Sequence, residues 1–106
     1  MRFTTARLCG GKAVMAISAD ILDIDLAHAA EIIEGEGCKI KEKNDMLLVF
    51  EWNGMEVTLY PQGKVMYLPQ TDRAQCISDA TALLEKIRRR GLSIIYPDNM
   101  PDTWTI

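Results

Sequence analysis

The chain has 106 residues, 25% charged and 48% apolar, with a formal net charge of −3 and an isoelectric point near 5.1. These values are ordinary for one globular domain, spanning 1–106, that buries roughly two thirds of its unfolded surface; the acidic balance argues against a generic nucleic-acid binder, which carries a basic face. No apolar run reaches the ~20 residues of a membrane-spanning helix, and no signal-peptide core stands at the N-terminus.

Arg2 to Leu8 is short and threonine-rich, which predicts a strand. Cys9-Gly10-Gly11-Lys12 then reads as a turn. A reactive thiol there would need a second cysteine or a histidine nearby, and neither is present. Ala13 to Asp20 reads as a second strand whose small residues suit close packing. Asp20, Asp23 and Asp25 invite a metal-site reading. An EF-hand loop, however, needs a central glycine and a closing glutamate, and both are missing. Asp23 or Asp25 is instead expected to cap the next helix, where a carboxylate accepts from orphan amides. That helix places Leu26, Ala29, Ala30 and Ile33 on one apolar stripe and ends at Gly35 and Gly37. His28, the only histidine, falls off the stripe and is expected in solvent. No metal or cofactor is expected. Cys9, Cys38 and Cys76 lack metal-ligand spacing and read as reduced thiols of a cytoplasmic protein.

Cys38 to Lys43 alternates, with Lys39, Lys41 and Lys43 on one side. This predicts an edge strand protected by lysines, with phosphate contact as the less favoured use. Three runs follow, joined by two tight turns. Leu47 to Trp52 meets Met55 to Tyr60 across Asn53-Gly54, the strongest short hairpin signal because a type I′ turn needs positive φ at both positions. Pro61-Gln62-Gly63 turns the chain again into Lys64 to Leu68. Period-two alternation then pairs Phe50 with Val57 and Leu48 with Leu59, and sets Val65 and Tyr67 on the same, core-facing side. The other side carries Leu47, Val49, Glu51, Glu56, Thr58, Tyr60, Lys64, Met66 and Leu68, a mixed face either open to water or kept for a partner.

Thr71 is expected to cap a long helix with Asp72 in its first turn and the stripe Cys76, Ile77, Ala80, Leu83, Leu84 and Ile87. Arg88, Arg89 and Arg90 complement its C-terminal dipole before Gly91. The extension 92–106 opens with a short β-branched run, Ser93-Ile94-Ile95-Tyr96. Trp104 and Ile106 are too apolar for an idle tail, so at least part of it is expected to pack down or reach a neighbour. The whole is α+β: one curved antiparallel sheet of about five strands with two helices on one face.

This order of elements resembles one half of a TATA-box-binding protein. Ile24-Asp25-Leu26 is similar to the Leu-Asp-Leu that opens that family's short helix, and Val57-Thr58-Leu59-Tyr60-Pro61-Gln62-Gly63-Lys64-Val65 is similar to its Ala-Leu-Ile-Phe-Ser-Ser-Gly-Lys-Met run. The resemblance covers about 13–91 once, whereas the family carries two halves in tandem. It implies that Tyr60 stands where the family has a DNA-kinking phenylalanine. The second kinking phenylalanine has no counterpart among Asn44, Asp45 and Met46. A base-contacting asparagine corresponds to about Val14. Glu51 and Glu56 would bring the wrong sign of charge to phosphates.

The expected function is therefore a non-catalytic binding module, not an enzyme, whose open sheet face takes a protein partner or a second copy. The face residues are Leu47, Val49, Thr58, Tyr60, Lys64, Met66 and Leu68. A homodimer is expected because the family's halves join through their first strands, which leaves the Ala13 to Asp20 edge to be managed. Nucleic-acid binding through Tyr60, Lys64 and the lysine strand is the alternative. A small-ligand protein or enzyme comes third, since no base–nucleophile pair can be placed.

Overall fold

Asn53 and Gly54 take φ of 50° and 76°, so the hairpin turn adopts the left-handed pair its sequence demands. The computed structural model describes residues 2–20, 22–90 and 94–95. In chain order the elements are β1 (Phe3–Leu8), β2 (Ala13–Ser18), β3 (Asp23–Ile24), α1 (Leu26–Gly35), β4 (Ile40–Lys43), β5 (Leu48–Trp52), β6 (Met55–Leu59), β7 (Lys64–Leu68), α2 (Arg73–Arg90) and β8 (Ile94–Ile95). Six strands form one open antiparallel sheet in the order β1-β2-β7-β6-β5-β4, and β3 pairs with β8 apart from it. The fold is α+β, as expected.

The meander register follows the alternation: Trp52 opposes Met55, Phe50 opposes Val57 and Leu48 opposes Leu59. At the second turn the Tyr60 amide donates to the Lys64 carbonyl at 2.9 Å, and the Gly63 amide to the Tyr60 carbonyl at 3.1 Å. Leu48, Phe50, Val57, Leu59, Val65 and Tyr67 are all at most 2% exposed. They meet the buried stripes of both helices, Leu26, Ala29, Ala30 and Ile33 from α1 and Cys76, Ala80, Leu84 and Ile87 from α2, in one core.

Local signals place the helix starts. Asp25 caps α1, its Oδ1 accepting from the amides of Ala27 at 3.0 Å and His28 at 3.2 Å. Gly37, at φ 89°, ends it with its amide donating to the Glu34 carbonyl at 3.0 Å. The cap of α2 is Asp72 and not Thr71: Asp72 Oδ1 accepts from the Gln75 amide at 3.1 Å. Thr71 lies one residue too early, and its own amide donates to the Gln70 side chain at 3.0 Å.

Three expectations change. The sheet has a sixth strand because β1 pairs with β2 along its whole length, from Phe3 opposite Ser18 to Leu8 opposite Ala13. That pairing also occupies the β2 edge from which a partner copy was expected to add. The lysine row of β4 is split: the register shifts between Ile40 and Glu42, and such a bulge breaks the alternation that put Lys39, Lys41 and Lys43 on one side. Val14 points under α2 at 0% exposure, so it cannot take the sheet-facing place that the resemblance assigns to a base-contacting asparagine. The packing expected of Trp104 and Ile106 lies outside the described residues.

Candidate functional site

The face of the sheet away from the helices is built by the residues that alternate with the core. Register places Ala6 opposite Met15, Met15 opposite Met66, Met66 opposite Thr58 and Thr58 opposite Val49. Five strands therefore contribute one straight cross-strand row. One step toward the Asn53-Gly54 turn lie Leu8 and Ala13, then Leu68 opposite Glu56 and Glu56 opposite Glu51. One step the other way, Thr4 opposes Ile17 and Ile17 opposes Lys64, with Tyr60 beside Lys64 at the turn.

The expected face residues thus fall together. Val49, Thr58 and Met66 form the centre of the row, Leu68 lies above it, and Lys64 and Tyr60 lie below. Leu47 sits just before β5, its amide held by Asn44 Oδ1 at 3.0 Å. Lys64 is exposed, and Leu47, Val49, Tyr60, Met66 and Leu68 are half-buried. Thr58 is the exception at 4% exposure: it lies on an inner strand, directly opposite Val49 and Met66 on the flanking ones. The sequence reading missed Ala6, Met15 and Ile17, which extend the apolar part of this face. The alternation of β2, with Val14 and Ala16 inward and Met15 and Ile17 outward, was the signal that could have found them.

Charge on this face is compensated at one of its two glutamates. Glu51 and Glu56 stand directly opposite each other, an arrangement that repels. Lys41 reaches Glu56 Oε1 at 3.1 Å. The hydrogen bond and charge of Glu56, with Glu51 adding to them, hold the Lys41 ammonium above its ordinary value.

The helix side of the sheet holds a second feature that sequence reasoning missed. A cavity of about 470 Å³ opens between the end of α1, the β5–β6 hairpin and the middle of α2. Phe50, Val57, Tyr67 and Trp52 line it from the sheet, and Leu83 and Asp79 line it from α2. Trp52 and Tyr67 meet edge to face, with ring centroids 6.3 Å apart. Lys86 and Glu36 form an ion pair at its rim, 2.8 Å apart, and Lys39 also lines it. Asp79 is only 7% exposed and accepts from Gln75 Nε2 at 2.9 Å. Burial, with the Asp79 charge adding to it, pushes the Cys76 thiol up to about 11; its Sγ donates to the Val14 carbonyl at 3.6 Å. Burial first, and Asp79 second, likewise raise the Tyr67 phenol well above its usual value. The missed signal was Asp79 itself, a carboxylate at i+3 from Cys76 and thus inside an apolar helical stripe.

His28, expected in solvent, is half-buried, its side chain 35% exposed. Its Nε2 is buried without a hydrogen-bond partner among the described residues, while Nδ1 lies 4.0 Å from Glu31 Oε2. No helix among the described residues is long and apolar enough to cross a membrane. Compared with protein-family models, curated proteins and solved structures, the chain matches none.

Proposed function

We propose that the chain is a non-catalytic interaction module whose helix-free sheet face receives a protein surface, the first occupant being a second copy of the chain. The observation that carries this reading is the unbroken row Ala6, Met15, Met66, Thr58 and Val49 across five strands, flanked by Ile17, Leu68 and Tyr60. With the β2 edge filled, self-association has this face rather than that edge to use.

Charge supports a two-fold arrangement. An axis lying along the row sets the Lys64 end of each sheet over the Glu51 and Glu56 end of the other, so unlike charges meet at both rims. The area bounds the strength. Six strands at ~4.8 Å spacing and three rows of side chains give a face on the order of 500 Å², the low end for a specific interface. A weak, reversible dimer is expected, with a dissociation constant on the order of micromolar or above.

The order β2, α1, β4 to β7, α2 supports the proposed kinship with one TATA-box-binding protein half, and the three free thiols support a cytoplasmic setting. The buried, protonated Cys76 and Tyr67 suit packing more than nucleophilic attack, in keeping with a non-catalytic role.

Sedimentation equilibrium from low micromolar to near-millimolar concentration tests the reading. A reversible dimer is expected, weakened by Met66→Asp and by Met15→Asp while circular dichroism stays unchanged. A monomer throughout, or a dimer indifferent to both substitutions, overturns it. Retention of duplex DNA near physiological salt, falling steeply as salt rises, would move the function to nucleic acid.

A further inference from the structure

We infer that the cavity on the helix side binds a small organic cation, an ammonium group carried on an apolar or aromatic body. The site lies across the sheet from the proposed protein-binding face and is independent of it. Its volume, about 470 Å³, falls within the range of small-molecule sites, which pair an apolar lining with a few convergent polar groups.

The polar groups select the ligand. Asp79 is more than nine-tenths buried, lines the cavity, and takes its one hydrogen bond among the described residues from the neutral Gln75 amide. No lysine, arginine or histidine among the described residues pairs with it. Two cations line the cavity, Lys39 and Lys86, against the three carboxylates of Glu36, Glu51 and Asp79, and Lys86 is engaged by Glu36 at 2.8 Å, so the lining keeps an excess of negative charge. A buried carboxylate without a counter-ion is costly, and a cation from outside relieves that cost. Tyr67 is 1% exposed and lines the same cavity, and its hydroxyl makes no hydrogen bond among the described residues. Held protonated, it offers an oxygen lone pair to an N–H donor.

The walls select the same charge. Trp52, half-buried and crossed with Tyr67 at 61°, is the aromatic ring of the lining with surface left for a ligand, and aromatic rings attract ammonium groups. Phe50 and Leu83 supply the apolar remainder. An anion would meet Asp79 with the wrong sign. A neutral ligand of equal shape would leave the carboxylate uncompensated.

Titration with 2-phenylethylammonium, against 2-phenylethanol as the neutral isostere, tests this on the full chain. Trp52 fluorescence is read in a Trp104→Phe background. The ammonium is expected to bind at least roughly tenfold more tightly than the alcohol. Asp79→Asn, isosteric and able to keep the Gln75 contact, should remove that preference without changing the alcohol's affinity and without lowering the melting temperature. Equal binding of alcohol and ammonium, an unchanged preference in Asp79→Asn, or no saturable ammonium binding at low salt each overturns the inference. The alcohol comparison stands on the unmodified pocket, so it decides the matter even if the variant fails to fold.

Discussion

Trp52 on β5 and Tyr67 on β7 touch edge to face across the intervening strand, with centroids 6.3 Å apart and ring planes at 61°. The short Val57, opposite Tyr67 on β6, leaves the room for this contact. Such pairs contribute about 0.5–1.5 kcal/mol beyond their burial. The pair therefore ties the outer part of the meander to its last strand, and it also forms a rigid wall of the cavity.

The two faces of the sheet should respond differently to truncation. Phe50 is 2% exposed beneath the helices, so Phe50→Ala is expected to cost roughly 3–5 kcal/mol through lost burial and a residual cavity. Met66 and Tyr60 are half-buried on the other face, and their alanine variants should each cost on the order of 1 kcal/mol. Urea melts of the three variants below the dimerisation range give the comparison. Equal losses would mean that the helix-free face is packed in the monomer, with no surface left for a partner.

Stability should fall on the alkaline side. Cys76 is raised from 9.0 to about 11. Tyr67 and Lys41 are raised as well, Tyr67 chiefly by burial and Lys41 by its hydrogen bond to Glu56. In each case the folded chain keeps a proton that the unfolded chain gives up. The associated stability is complete below the unfolded values and is lost as pH climbs toward the folded ones. The decline begins near pH 9 with Cys76 and continues with Tyr67 and Lys41. Cys76→Ala should delay the onset by about a pH unit. Urea midpoints measured from neutral to strongly alkaline pH that stay flat in the parent chain would contradict this.

Gly63 and Gly54 separate two costs of a side chain at positive φ. A Cβ at Gly54, φ 76°, meets nothing within 4 Å, so Gly54→Ala should cost only the backbone strain, about 1 kcal/mol. At Gly63, φ 98°, a Cβ would stand 2.9 Å from Leu22 Cδ1 and 3.0 Å from Ser18 Cβ. Leu22 is in the core and cannot simply swing away. Gly63→Ala should therefore cost about 1–3 kcal/mol more than Gly54→Ala. Thermal melts of the two variants with the same midpoint would show that the Leu22 contact yields freely.

The meander was legible because its signals are local: a dipeptide that demands positive φ, and an alternation that assigns Phe50, Val57 and Tyr67 to one side. The helix stripes and the Asp25 cap were legible for the same reason. What escaped was decided by pairing at a distance. The β4 bulge leaves no mark in the pattern Lys39, Lys41, Lys43, yet it sends Lys41 to Glu56 while Lys39 lines the cavity. Met15 and Ile17 become face residues only once β7 lies beside β2. The cavity needs Asp79, Trp52 and Tyr67 brought together from three elements, and no spacing in the chain announces that.

The filled edge of β2 bears on gene duplication. A tandem copy of this chain could not fuse its two sheets strand to strand through β2, since Phe3 to Leu8 already occupy every position there. A continuous double sheet would require loss of the first strand or a joint at β1 or β4, and β4 is irregular and lysine-bearing. The N-terminal hairpin thus closes the β2 route, and a sheet lengthened by repetition would have to join its copies through β1 or β4.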